Sequence, residues 1–125
     1  MSRTRTLTTA FALGRLAFGA ALLASPARVA AGWLGADAER APVQIAIRGV
    51  GARDIALSAG TLATLNDPEA LRRWLAGAIL ADLGDVVSTL LTPGSVLPGN
   101  ARWGTVALGG GSALAGAALL ATVDR

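Results

Sequence analysis

Six ionisable side chains interrupt long apolar segments of this chain. They are Arg15 in the first segment, Arg48, Arg53 and Asp54 in the second, and Asp82 and Asp85 in the third. An ionisable group among apolar residues is costly to bury unless it is paired and hydrogen-bonded. These three positive and three negative charges sum to zero, so the sequence predicts that they pair with one another. Arginine suits this pairing because its guanidinium binds both oxygens of a carboxylate and keeps its proton.

Two interpretations of these charges use the same atoms. Asp82 and Asp85 are three residues apart and share one face of a helix, which can meet the Arg side chains of neighbouring helices. A network of such pairs would hold the helices together, and this is the favoured interpretation. Alternatively, the two carboxylates form a proton relay or a cation site, or Arg48 and Arg53 bind an anionic headgroup.

The composition predicts an integral membrane protein. Of the 125 residues, 53% are hydrophobic and only 15% are charged, and the mean hydropathy is +0.55. A soluble domain carries nearer a quarter charged residues. The alternative, a soluble helical bundle, would need helices with polar outer faces, and residues 104–123 contain no charge at all.

Cys, His and Tyr are absent from the sequence. Their absence excludes disulfides, thiol chemistry, Cys/His metal sites, His-ligated haem and a Ser-His-Asp triad. We therefore predict no catalytic residue, no metal site and no cofactor, and a membrane enzyme is disfavoured. Every basic residue is Arg, and no basic face with interleaved aromatic residues occurs, so we predict no nucleic-acid binding.

The apolar segments predict an all-α fold of four transmembrane helices, running up-down-up-down, in one integral membrane domain that covers residues 1–125. The helices are predicted at about residues 7–24, 43–65, 69–92 and 103–123. A helix of about 18 residues extends roughly 27 Å, just enough to span a bilayer. A cleaved signal peptide is the alternative for the first segment, but Arg15 in the middle of its apolar region disfavours that alternative.

The first connection, residues 25–42, leaves two alternatives open. Pro26 fits the first turn of a short helix and Gly35 fits its end, so the stretch could be an interfacial helix with Trp33 at headgroup level. It could equally be an irregular loop with one aromatic anchor.

The second connection is predicted to be a tight turn. Asn66 or Asp67 can cap the helix that follows, and Pro68 fits its first position. A turn this short predicts that the helices before and after it are antiparallel neighbours.

Small residues cluster on two of the predicted helices. They are Gly49 and Gly51 on the second helix, and Gly109, Gly110, Gly111, Ser112 and Gly116 on the fourth. Small residues let helix backbones approach closely, so we predict packing within the bundle or against a second copy of the chain. A phosphate-binding glycine loop is excluded, because no predicted strand precedes these residues and the sequence contains no Lys.

Arginine residues that flank the helices predict the orientation. Arg3, Arg5, Arg72, Arg73 and Arg125 lie on one side, and Arg28, Arg40 and Arg102 lie on the other. Because cytoplasmic flanks carry more basic residues, this predicts a multi-pass protein of the plasma membrane with both termini in the cytoplasm. The predicted partners are the lipid bilayer and either a second copy of the chain or another membrane protein.

Short motifs on the second and third predicted helices resemble those of a known family. They are Gly51-Ala52-Arg53-Asp54, Leu75-Ala76-Gly77 and Leu83-Gly84-Asp85, together with the Ser25-Pro26 break and the stretch 32–35. The pattern resembles small four-helix membrane proteins of bacteria and fungi that are broadly similar to the DoxX-type proteins. The resemblance implies the four-helix membrane fold, and it implies no activity because that family has no established one.

Two functions from different classes fit these features. The favoured hypothesis is a non-enzymatic accessory or scaffold protein whose Arg/Asp network fixes the bundle. The alternative is a small transporter, or a proton or cation conduit, that uses Asp82 and Asp85 at the middle of the membrane. A conduit would act as an oligomer, since four short helices enclose little space.

Overall fold

The computed structural model describes residues 2–123, and this part of the chain is helical with no strand. Its α-helices are α1 (Arg3–Ala24), α2 (Pro26–Leu34), α3 (Ala41–Ala63), α4 (Pro68–Leu91) and α5 (Ala101–Thr122). Single 3-10 turns follow α2 and α4, at Gly35–Glu39 and Gly94–Val96. The predicted all-α class is therefore confirmed, and the chain has one helix, α2, more than the four that were predicted.

Side-chain caps decide where two of the helices begin. Ser2 accepts a hydrogen bond from the main-chain nitrogen of Arg5 at 3.2 Å, so α1 begins four residues earlier than predicted. Asp67 accepts a hydrogen bond from the main-chain nitrogen of Ala70 at 3.1 Å, and Pro68 occupies the first position of α4 as predicted. The cap is Asp67 rather than its neighbour Asn66.

The first connection is a helix rather than an irregular loop. Pro26 begins α2, and Gly35 ends it with a φ of +66°, a conformation that side chains with a Cβ rarely adopt. The Nε1 of Trp33 donates a hydrogen bond to the hydroxyl of Thr89 at 3.1 Å. This bond ties α2 to α4, so Trp33 is held against a long helix.

Helices α1 and α3 pack closely and antiparallel. Gly19 of α1 lies against Gly51 of α3. Four residues further along α1, the main-chain oxygen of Leu23 accepts a hydrogen bond from Nε of Arg48, three residues earlier on α3. Residues later in α1 therefore contact residues earlier in α3, as expected for antiparallel helices.

Helix α4 makes its most extensive contact with α5, and that pair is also antiparallel. Ile79 of α4 lies beside Gly116 of α5, whereas Val86, two turns later on α4, lies beside Gly109. The tight turn that ends at Asp67 keeps α4 in contact with α3 as well.

Many large apolar side chains lie on the outside of the molecule, and several polar side chains lie inside it together with apolar ones such as Leu22 and Leu75. Leu80, Leu108 and Leu114 are exposed over 67% to 75% of their surface. The buried polar residues are Thr8, Asp54, Ser58, Thr61, Asp82 and Thr89. So many exposed large apolar side chains are unusual for a water-soluble bundle, and they favour apolar surroundings for the helices.

Three helices are long and apolar enough to cross a membrane, namely α1, α4 and α5. Helix α3 has 23 residues but carries Arg48, Arg53 and Asp54, and these charges distinguish it from the other three long helices. Length and composition alone thus show three helices compatible with a membrane, where the sequence predicted four.

Candidate functional site

Arg15 lies at the meeting point of the four long helices. Its Nη1 donates to Oδ1 of Asp54 on α3 at 3.1 Å. Its Nη2 donates to Oδ2 of Asp82 on α4 at 2.5 Å and to the hydroxyl of Ser112 on α5 at 3.1 Å. Only 8% of the Arg15 side chain is exposed. One buried guanidinium on α1 therefore contacts the other three long helices.

Arg53 extends this cluster by one further carboxylate. Its Nη1 and Nη2 donate to the two oxygens of Asp85 at 3.1 and 2.8 Å, the bidentate arrangement that guanidinium geometry favours. Its Nη2 also donates to Oδ1 of Asp54 at 3.3 Å. The five side chains form an alternating row, which we call the ionic row: Asp82, Arg15, Asp54, Arg53, Asp85.

The predicted sixth member, Arg48, lies outside the ionic row. Its side chain is exposed, and its Nε donates to the main-chain oxygen of Leu23, in the last turn of α1, at 3.2 Å. Arg48 therefore lies beside the end of α1, about two turns into α3. Without it, the row contains two positive and three negative groups, a formal charge of −1. The sequence predicted a neutral set because spacing along α3 does not reveal how far α1 is shifted along that helix.

Both ends of the ionic row are carboxylates on α4, and they differ in environment. The Asp82 side chain is 8% exposed, whereas the Asp85 side chain is 27% exposed. Each is held by one Arg, while Asp54 between them is held by two. Nε of Arg15 and Nε of Arg53 are buried and have no acceptor among residues 2–123. Asp85 is thus the carboxylate of the row that is most accessible from outside the protein.

Glycines at three of the predicted positions permit close helix contacts. A Cβ on Gly51 would lie 2.6 Å from the main-chain oxygen of Gly19, a distance that real side chains do not reach. A Cβ on Gly109 would lie 2.9 Å from Val86, and one on Gly116 would lie 3.0 Å from Ile79. These positions permit the close packing of α1 on α3 and of α4 on α5.

Three other predicted packing glycines make no such contact. A Cβ on Gly49, Gly110 or Gly111 would meet no atom within 4 Å. Sequence reasoning missed two positions that do pack, Gly19 against α3 and Gly60 beneath the ring of Trp74. Neither of these glycines has another glycine within four positions, whereas most of the predicted positions lie in pairs or runs of glycine. Ser112, predicted as a packing residue, instead accepts a hydrogen bond from the ionic row.

A cleft of about 1100 Å³ opens between α1 and α5 on one side of the ionic row. Helix α2 and the loop 98–100 border it at one end. Its walls are mainly apolar or small, and the ionisable residues that line it are Arg15, Asp54, Asp82 and Asp85. Small-molecule sites in proteins combine these two features, apolar walls and a few convergent polar groups. Nothing in the sequence indicated this cleft.

The contacts observed at this site are ion pairs and hydrogen bonds. Within residues 2–123, no group of three or more Asp, Glu, His or Cys side chains is arranged to hold a metal ion. The hydroxyl of Ser112 accepts from Nη2 of Arg15, the nitrogen that also donates to Asp82.

Comparison of the chain with family models, curated proteins and solved structures finds no match. The resemblance to DoxX-type proteins therefore stays a prediction from the motifs. What the chain does must be argued from its own geometry.

Proposed function

We propose that this chain is a non-enzymatic accessory or scaffold protein with four membrane-spanning helices, α1, α3, α4 and α5, running up-down-up-down. The observation that supports the proposal best is the position of Arg15, which bonds to α3, α4 and α5 from α1. An ion pair in apolar surroundings holds its partners firmly, because a separated charge would have no water to bind. We also propose kinship with the DoxX-like family on the motifs that contain Arg53 and Asp85.

Helix α3 is compatible with a membrane-spanning position in spite of its charges. Its buried residues, Ile47, Gly51, Asp54, Ser58 and Thr61, recur every three or four positions and so share one face. Of its three charged groups, two belong to the ionic row and Arg48 lies near a helix end. A helix whose charges are paired inside or lie near an interface is compatible with lipid on its outer face.

The orientation we propose has both termini in the cytoplasm of a plasma-membrane protein. The antiparallel contacts bring Arg3, Arg5, Arg72 and Arg73 to one end of the helices, with Arg28, Arg40 and Arg102 at the other. Arg125, which the sequence placed with the first group, lies outside residues 2–123. The richer end is assigned to the cytoplasm. Cysteine substitutions at Arg3 and Arg40, labelled by an impermeant reagent in intact cells, test this orientation: only the Arg40 position should react.

Membrane integration has its own test. The protein should remain in the membrane pellet after washing with alkaline carbonate and should need detergent for extraction. Purification as a monomer without detergent would contradict the proposal, because a soluble chain must hydrate its outer faces and α5 carries no polar one.

An accessory role predicts one defined partner. Chemical cross-linking in intact membranes, followed by purification in two different detergents, should recover the same membrane protein at a fixed ratio to this chain. Preparations that repeatedly contain this chain alone, before and after cross-linking, would contradict the role.

A second candidate, a small transporter or a cation conduit, is favoured by one observation. Asp85 ends the ionic row, lines the cleft and is 27% exposed, so an ion can reach a carboxylate of a row whose formal charge is −1. Liposomes that contain the protein should then dissipate a cation or pH gradient, and Asp85→Asn should abolish the flux. The matched control is Asp37→Asn, on a carboxylate that is exposed in a loop turn. A flux equal in the two variants would contradict the candidate.

A further inference from the structure

The cleft between α1 and α5 has walls and a floor of different chemistry. The wall on α5 is made of small residues, among them Gly104, Thr105 and Gly111. The wall on α1 includes Phe18, and Trp33 of α2 borders the far end. The floor is the ionic row, of which Arg15 and the three carboxylates line the cleft. An occupant must therefore be apolar over most of its surface and must carry one polar group.

The charge of the floor selects the sign of that polar group. The two Arg of the ionic row neutralise two of its three carboxylates, and within residues 2–123 Arg15 is the only cation that lines the cleft. An uncompensated carboxylate in apolar surroundings attracts a single positive charge strongly, because the low dielectric weakens the attraction little. An anionic headgroup on Arg53 would instead add a fourth negative charge beside three.

A bare metal ion does not fit this floor. Each carboxylate of the row already binds at least one guanidinium, and the three do not converge on one point as metal ligands would. An organic cation needs no such convergence, because its charge is spread and its apolar groups fill the cleft.

Aromatic side chains add a second attraction for an organic cation. The face of an aromatic ring attracts cations, most strongly that of Trp. The ring of Phe11 is already used in this way by Arg15, whose guanidinium carbon lies 5.5 Å from the ring centre. Phe18 and Trp33 line the cleft and have no such cation among the described residues.

We propose that the cleft binds a lipophilic monocation, an organic molecule with one ammonium-type or phosphonium-type charge and an apolar body, whose charge lies against the Asp85 end of the ionic row. A volume of about 1100 Å³ accommodates several ring systems. This inference goes beyond the accessory role and rests only on the proposed placement in a membrane.

Two ions of the same shape and opposite charge provide the direct test. The full chain is reconstituted into lipid nanodiscs, and binding of tetraphenylphosphonium and of tetraphenylborate is measured by equilibrium dialysis, with empty nanodiscs subtracted. The expected result is saturable binding of one tetraphenylphosphonium per chain and affinity for tetraphenylborate at least tenfold weaker. Equal binding of both ions, or no saturable binding of the cation, would overturn the proposal.

Neighbouring glycines supply a matched pair of variants. Gly110 and Gly111 both have open space where a Cβ would lie, but only Gly111 lines the cleft. Gly111→Leu should fill the cleft and weaken cation binding at least tenfold, while Gly110→Leu should leave it within twofold. Equal effects of the two substitutions would contradict a site in this cleft, whatever the behaviour of the charged residues.

A carboxylate variant tests the charge separately from the shape. Asp85→Asn leaves the ionic row with two positive and two negative groups and should abolish the preference for the cation over the anion, whereas Asp37→Asn should preserve it. If Asp85→Asn still binds the cation in preference to the anion, the proposed position of the bound cation beside Asp85 would be wrong. Failure of the wild type to enter nanodiscs would contradict the membrane placement and this inference with it, while entry without binding would contradict this inference alone.

Discussion

Arg15 of α1 donates a 2.5 Å hydrogen bond to Asp82 of α4, a residue 67 positions later in the chain. Helix α1 packs mainly on α3, and α4 packs mainly on α5. The bond between Arg15 and Asp82 therefore forms only when all four long helices are correctly aligned along their axes. Because of this position, substitution of Arg15 should destabilise the largest part of the fold.

Removing Arg15 should destabilise the protein strongly. In Arg15→Gln, Asp54 keeps one Arg partner and Asp82 keeps none, and the row retains one positive and three negative groups. Breaking a buried pair while its partner stays charged typically costs about 3–5 kcal/mol. The free energy of unfolding in mild detergent, measured by denaturant titration, should fall by an amount in this range.

Arg48→Gln is the control for this experiment. Arg48 is exposed and donates only to a main-chain oxygen, so its substitution should cost at most about 1 kcal/mol. Equal losses in the two variants would show that the ionic row is no more important than a single exposed Arg.

Asp85→Asn should be much milder than Arg15→Gln. Because the ionic row has one carboxylate in excess, the substitution leaves two positive and two negative groups, and Arg53 retains Asp54. Asp85 is also partly exposed, and exposed pairs contribute about 0–1 kcal/mol. We expect the free energy of unfolding to change by no more than about 1 kcal/mol, in either direction. A loss as large as that of Arg15→Gln would contradict the assigned charge of −1.

The contact of Gly19 with Gly51 predicts opposite effects of alanine at neighbouring glycines. Gly51→Ala places a Cβ 2.6 Å from a main-chain oxygen, and such overpacking costs typically about 1–3 kcal/mol. Gly49→Ala meets nothing within 4 Å and should gain up to about 1 kcal/mol from helix propensity.

Thermal unfolding of the two alanine variants in the same detergent compares these effects directly. On α1, Gly19→Ala should behave like Gly51→Ala, and Gly14→Ala, which has open space, should behave like Gly49→Ala. If alanine is not more destabilising at the two glycines that contact the other helix than at the two that have open space, α1 and α3 do not pack at this register.

The start of α4 provides a local test. Asp67→Ala removes the side chain that accepts from the main-chain nitrogen of Ala70, and losing such a cap costs typically about 1 kcal/mol. Asn66→Ala removes a side chain that is not a cap and should change the unfolding free energy by less than half as much. Equal effects would mean that Asn66 shares the capping role.

Features that depend on neighbouring residues could be predicted from the sequence. The apolar segments predicted the helical class, because helices satisfy their own backbone hydrogen bonds wherever the side chains are apolar. Pro68, with either Asn66 or Asp67 as the cap, predicted the start of α4, because a cap involves only residues next to the first turn. The conclusion that Arg and Asp side chains pair also needed no structure, since unpaired charges in apolar segments are too costly.

The tertiary structure decided which partners those residues have. Close approach of two backbones at Gly19 and Gly51 fixes how far α1 is shifted along α3, and that shift brings Arg15 to Asp54 and leaves Arg48 at the helix end. It also decided that α2 borders a cleft and that a carboxylate remains in excess at its floor. Composition determines that charges must be paired, whereas only the register of the helices determines which charges are close enough to do so.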